Sequence, residues 1–259
     1  MIYKLRDIIE NKNISTVFQP IFNVKDKTVL GYEALTRGPV NSEFHSPDKL
    51  FSYATEYGLL SELEILCRDN AIRQFASLKL QGMLFLNISP RVLLDKNHPR
   101  GETIKFVEKA GLNCQQIVIE LSEKYPYPNN KTLSHALAQY REYGFNVAID
   151  DLGAGYSGLK LWSELRPDIV KIDRYFVEGC DQDSFKRKFL IAIFDLAKSA
   201  NAKVIVEGIE TKNEYMLLKK LGMDYAQGFY LAMPLHFPDT DFPLLSDDVY
   251  SFTSEEKMA

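Results

Sequence analysis

Glu33, Asn87, Glu120, Asp150, Asp151, Asp173 and Glu207 share one context in this 259-residue chain. Each follows a short aliphatic or β-branched run. The runs are 29–32, 83–86, 117–119, 147–149, 169–172 and 204–206. Lys171 lies inside the run before Asp173. Carboxylates gathered at one place repel one another, so something positive must sit among them. Oxygen-only donors select hard cations such as Mg2+ or Mn2+ over zinc or copper. Paired ions ringed by carboxylates favour in-line attack of water on a phosphoryl group. The neighbours Asp150 and Asp151 could serve two ions, one acid as bridge and one as terminal ligand. One acid ending a strand is often only a helix N-cap, but six such endings at regular spacing make that improbable for the set. Asp173 is as suited to bracing Lys171 as to touching metal. His45, His98, His135 and His236 fall outside these run ends, which argues against Ser-His-Asp and Cys-His nucleophile arrangements.

These residues need elements that bring them together. Short continuous apolar runs suit strands buried on both faces of a parallel sheet. Amphipathic stretches between them, such as 133–143 and 185–200, suit helices, with Gly111, Gly144 and Gly222 where C-terminal caps would sit. Strand–helix units of roughly 30 residues imply right-handed crossovers. Adding 18–22 near the start and 226–231 near the end gives eight strands, which fits an α/β fold of the (β/α)8 TIM-like kind. An open, doubly wound sheet is the competing architecture. The gap between 22 and 29 is too short for a crossover helix, so the first two strands are expected as an antiparallel hairpin and the barrel as irregular. In such a barrel the C-terminal strand ends converge on the active site.

Composition is that of a globular protein, with 46% hydrophobic and 25% charged residues. The length allows a single domain over 1–259, with a helix in 1–15 and a tail over 240–259. A net charge of -4 offers no general attraction to polymeric nucleic acid or to an anionic membrane. Cys67, Cys114 and Cys180 lack metal-ligand spacing and read as small hydrophobes in a reducing compartment. The start is not a signal peptide, and no apolar run nears the roughly 20 residues that span a bilayer. A cytoplasmic location is expected.

Seven motifs in order carry a resemblance to a known family. Gly31-Tyr32-Glu33-Ala34-Leu35-Thr36-Arg37 resembles the motif that names the EAL family. Asn87-Ile88-Ser89-Pro90, Glu120-Leu121-Ser122-Glu123 and the segment from Ile149 to Ser157 are similar to the next three. Lys171-Ile172-Asp173, Val206-Glu207-Gly208-Ile209-Glu210-Thr211 and Gln227-Gly228-Phe229-Tyr230 complete the series. The resemblance runs from about Phe18 to Pro234. It implies a modified TIM barrel that hydrolyses cyclic di-GMP to linear pGpG with two Mg2+ or Mn2+ ions. It implies Glu33, Asn87, Glu120 and Asp150 as ligands of one ion, with Asp150 bridging to a second held by Asp151. Lys171 would contact the attacking water or the phosphate and offset charge there. Glu207 would be the acid/base partner, and Glu123 would hold the loop after Asp150-Asp151. Glu210 and Gln227 would support the site. Arg37 would clamp phosphate or base through its planar fork, and Gln19 would face a guanine. The resemblance also implies a homodimer, with Leu159, Leu161 and Trp162 either as an apolar face for it or packed inside the barrel's own helix layer.

The chain departs from the family pattern at Leu152, Ala154 and Gly158, which stand for Phe, Thr and Ser, and at Thr36, which stands for Leu. At Ala154 the missing hydroxyl could remove one loop hydrogen bond, about 1 kcal/mol. Those changes bear on loop regulation more than on the chemistry. Two other readings remain: a receptor that binds the dinucleotide without turnover, and another metal-dependent phosphodiester hydrolase on the same barrel. Receptors of this kind usually lose acids at the strand ends, and none is lost here.

Overall fold

The computed structural model describes residues 1–95, 99, 101–122, 130–153 and 158–238. Eight strands form a closed barrel in the sequential order β1 to β8. β1 (Ser15–Asn23) and β2 (Thr28–Arg37) form the antiparallel hairpin. The Asn23 side chain accepts from the backbone N–H groups of Lys25 and Asp26, which closes the tight turn. β3 (Met83–Asn87), β4 (Ile117–Ser122), β5 (Asn146–Leu152), β6 (Ile169–Ile172), β7 (Lys203–Val206) and β8 (Tyr225–Ala226) continue the sheet in parallel from β2. β8 closes it antiparallel on β1. The open doubly wound sheet is thereby excluded.

Helices cover the outside. α1 (Ile2–Glu10) buries Leu5 and Ile8 in a cluster with Leu50 and Ala54 of α2 (Pro47–Glu56) and Leu63 of α3 (Leu60–Ser77). α4 (Pro90–Leu94) and α5 (Glu102–Lys109) lead to β4, and α6 (Asn130–Glu142) to β5. α7 (Gly158–Leu165), α8 (Arg174–Val177), α9 (Ser184–Ser199) and α10 (Lys212–Lys220) complete the ring. Gly111 and Gly222 adopt φ of 71° and 84° just beyond α5 and α10, the left-handed turn that ends a helix cheaply only with glycine.

Strand residues alternate between two cores. Outward residues such as Leu84, Ile119, Ile149, Val170 and Val206 join the large cluster under the helices. Inward residues Ile21, Phe85, Val118, Ala148, Ile169 and Ile205 form a separate cluster that plugs the barrel.

Several expectations need correction. The strands are longer at the site end than their apolar runs, so Glu33, Asn87, Glu120, Asp150 and Asp151 lie within strands. The last strand is two residues, not six, because the chain turns back after Gln227. The first helix ends at Glu10. Leu161 and Trp162 are buried in the main core, and of the proposed apolar face only Leu159 is exposed. A helix that must cover the barrel turns its apolar stripe inward. Glu123, Ala154 and the 240–259 tail lie outside the described residues. Among the described residues no helix is long and apolar enough to cross a membrane.

Candidate active site

The barrel plug and the acidic layer are one pattern continued. Two residues beyond each inward apolar residue the same face carries a polar one. Phe85 leads to Asn87, Val118 to Glu120, Ala148 to Asp150, Ile169 to Lys171 and Ile205 to Glu207. β1 runs the other way, so Gln19 precedes Ile21 and pairs in register with Glu33. The parallel register sets Asn87 beside Glu120 and Ser122 beside Asp150.

Asp150 and Asp151 need a further device. In a regular strand adjacent side chains point to opposite faces. Here the β5–β6 register shifts between Ile149 and Leu152, so Asp150 and Asp151 together face the single residue Lys171. That is a bulge, with Asp151 in the left-handed region at φ 57°. It brings oxygens of Asp150, Asp151 and Glu207 within 4.8 Å of one another. The Ser122 hydroxyl donates to Asp151 Oδ2 at 2.9 Å.

Lys171 stands at the centre, fully buried. Its Nζ lies 2.7 Å from Glu207, 2.9 Å from Glu120, and 3.2 Å from both Glu33 and Asp150. Burial pushes the ammonium pKa down, but the four carboxylates outweigh it and hold the group well above the usual lysine range. One positive charge does not satisfy four acids. Burial, with neighbouring charges, pushes Glu120 and Glu207 well above the carboxylate range and raises Asp150. Glu33 differs. Burial raises it, yet Lys171 and the amides of Gln227 and Asn87 bring it below its ordinary value. Asn87 Nδ2 donates to Glu33 Oε1 at 3.0 Å, and Gln227 Nε2 donates to Glu33 Oε2 at 2.7 Å.

The donor set fits divalent cations. Oxygens of Glu33, Glu120 and Asp150 approach within 4.8 Å, and Asp150 also belongs to the trio with Asp151 and Glu207. Glu120 Oε2 is buried with no donor among the described residues, and Glu120 Oε1 and Asp150 Oδ1 are buried against the one Lys171 ammonium that four acids share. Buried carboxylate oxygens left that way are costly unless a cation takes them. Asn87, its amide nitrogen spent on Glu33, has its Oδ1 to offer.

A cavity of about 700 Å³ opens beside this layer, walled by Arg37, Asn87, Ser122, Asp150, Asp151 and Arg91 among others. Arg37 is half-buried and donates to the Thr36 carbonyl at 3.0 Å. Beside Glu33, Gln19 also meets Gln227: Gln227 Nε2 donates to Gln19 Oε1, and Gln19 Nε2 donates to the Ala232 carbonyl. It braces Gln227. Glu210 is half exposed and paired with Arg174. The α10 cap is Thr211, in a capping box with Glu214. Asp173 neither braces Lys171 nor joins the acids; its carboxylate caps α8 by accepting from the Tyr175 N–H at 2.8 Å. Ser122 and Arg91 were not singled out in the sequence. The Glu120-Leu121-Ser122 spacing, with the pleat, would have found Ser122 only if the neighbouring strand's bulge were known.

A TIM-like barrel with a buried cluster of oxygen donors at its C-terminal mouth defines the class. The chain belongs to the EAL family: the EAL domain model matches residues 3–234. It is 30% identical over 244 residues to the probable cyclic di-GMP phosphodiesterase PdeB of Escherichia coli K12, covering 93% of this chain and 46% of that protein. It is 32% identical over 246 residues to the probable cyclic di-GMP phosphodiesterase PdeI of the same strain, covering 92% of this chain and 31% of that protein. The chain thus spans less than half the length of either relative. A standalone EAL protein from Vibrio cholerae O395 with c-di-GMP bound superposes with TM-score 0.78 at 28% identity, over 86% of this chain and 92% of that one. Klebsiella pneumoniae BlrP1 with manganese and c-di-GMP gives 0.79 at 27%, over 86% and 56%.

Proposed function

We propose that this chain hydrolyses cyclic di-GMP to linear pGpG at a site holding two Mg2+ or Mn2+ ions. The observation that carries the reading is the pair of overlapping carboxylate trios that share Asp150. Glu33, Asn87, Glu120 and Asp150 would hold one ion, and Asp150 with Asp151 the other. Bound there, such ions would lower the pKa of water and draw charge from the phosphate. Lys171 keeps its proton and places a fixed positive charge where the phosphate gains negative charge. Glu207 contacts Lys171, has a raised pKa and completes the trio with Asp150 and Asp151, a position suited to exchanging a proton with water or with the leaving oxygen. Arg37 lines the cavity and would grip phosphate or guanine with its fork. A cavity of about 700 Å³ lies within the roughly 300–1,000 Å³ range of small-molecule sites.

The test is chromatographic: purified chain with cyclic di-GMP and Mn2+ or Mg2+, with and without chelator. Metal-dependent pGpG is expected, and Glu207→Ala should bind the dinucleotide while turning over at least 100-fold more slowly. Saturable binding by the wild type without product would make the chain a receptor. Wild-type turnover in Glu207→Ala would remove Glu207 from the chemistry.

A further inference from the structure

The walls of the cavity hold one buried charged pair that the reaction does not use. Glu64 and Arg68 sit one turn apart on α3 and are 4% and 2% exposed. Arg68 Nη1 donates to Glu64 Oε2 at 3.2 Å. The other carboxylate oxygen, Oε1, accepts from the backbone N–H of Ser89 at 3.0 Å. Burying such a pair is a poor way to gain stability, because desolvation cancels most of the attraction. A second reason for its presence is therefore expected, and Ser89 supplies it. Ser89 follows Asn87 and Ile88, and its side chain caps α4 by accepting from the Arg91 N–H at 3.2 Å. Asn87 is the last residue of β3 and is exposed to the cavity. Among the described residues its own side chain is held only at the amide nitrogen, by Glu33. The Ile88 N–H bonds to the Glu120 carbonyl at 3.0 Å, which fixes one side of the turn to β4. Glu64 fixes the other side to α3.

We infer that Glu64, oriented by Arg68, is a positioning residue: it clamps the β3–α4 turn so that Asn87 presents its oxygen to a divalent cation. This rests on the reading of Asn87 as a cation ligand above. Partners that orient a ligand are typically worth about 10- to 100-fold in metal affinity.

The test is Mn2+ affinity of the full chain without substrate, by calorimetry, at a temperature well below each variant's melting point. Glu64→Ala should bind Mn2+ about 10- to 100-fold more weakly. Glu64→Gln keeps an acceptor for the Ser89 N–H and should stay within about 3-fold of wild type. Should Glu64→Ala not fold, Ser89→Pro deletes the donor from the other side, at a φ of -72° that proline adopts. It should lose the same factor, while Ser89→Ala, which removes only the cap, should not. Wild-type Mn2+ affinity in folded Glu64→Ala or Ser89→Pro overturns the inference, as does equal loss in Glu64→Gln and Glu64→Ala. Absence of pGpG with these affinity differences intact would sink the proposed reaction and leave the clamp standing. A wild-type chain that binds no Mn2+ removes both.

Discussion

Lys171 shows how a single residue can hold a site together before any cation arrives. Four carboxylates lie within 3.2 Å of its ammonium, and the group is fully buried. Removing one partner of a buried ionic set leaves uncompensated charge and costs about 3 to 5 kcal/mol. Lys171→Met should therefore lower the unfolding free energy by that amount in chelator, read by urea titration. Saturating Mn2+ should shrink the loss, because the ions take over the neutralising charge, while turnover stays at least 100-fold down. An equal loss with and without Mn2+ would show that Lys171 and the ions do not serve the same carboxylates.

Elements place what residues supply. The bulge in β5 turns two sequence neighbours toward one mouth, and the β2–β3 contact sets Glu33 beside Asn87. That contact depends on Gly31, because a Cβ there would collide with the Met83 backbone. Gly31→Ala should cost about 1 to 3 kcal/mol or more and weaken Mn2+ binding along with stability; unchanged melting would mean that the strands can part without harm. Helix α3 contributes a pH dependence. Burial pushes the Glu64 carboxyl up to about 7, against the pull of Arg68 and the Ser89 N–H. The folded state thus favours the protonated form. Its stabilising contribution is complete below the ordinary value of 4.5 and is lost as pH rises through about 7. Relative to Glu64→Gln, the wild type should lose on the order of 2 to 3 kcal/mol between pH 4.5 and 8, followed by denaturant titration across pH. A flat difference would mean that Glu64 is ionised throughout.

For the whole molecule, closure of the barrel concentrates the charge. Glu33, Glu120, Asp150 and Lys171 come from four strands and Glu207 from just past a fifth, and they meet only when the sheet closes on itself. Ligands that bind only the closed form must stabilise it by mass action. Mn2+ at a hundredfold excess over its dissociation constant should add about 2.7 kcal/mol and raise the melting temperature by roughly 5 to 10 °C, reversed by chelator. A melting point indifferent to Mn2+ and chelator would argue against a cation in this layer.

The six-fold recurrence of apolar run and polar end, and the seven motifs in family order, were legible because strand burial and ligand chemistry constrain residue type locally. The hairpin was legible too, since the residues between β1 and β2 cannot span a crossover. Four matters belonged to tertiary structure. The bulge that aims both Asp150 and Asp151 inward depends on the register between β5 and β6, which no local pattern encodes. Asp173 and Lys171 are two residues apart, yet one caps a helix and the other fills the barrel, because β6 stops at Ile172. Gln19 accepts from Gln227, a partner 208 positions away. Leu161 and Trp162 face the core, not a partner, because the barrel beneath α7 has to be covered. Residue chemistry is written locally; which groups share a volume is set by register and closure, and those are sums over the whole sheet.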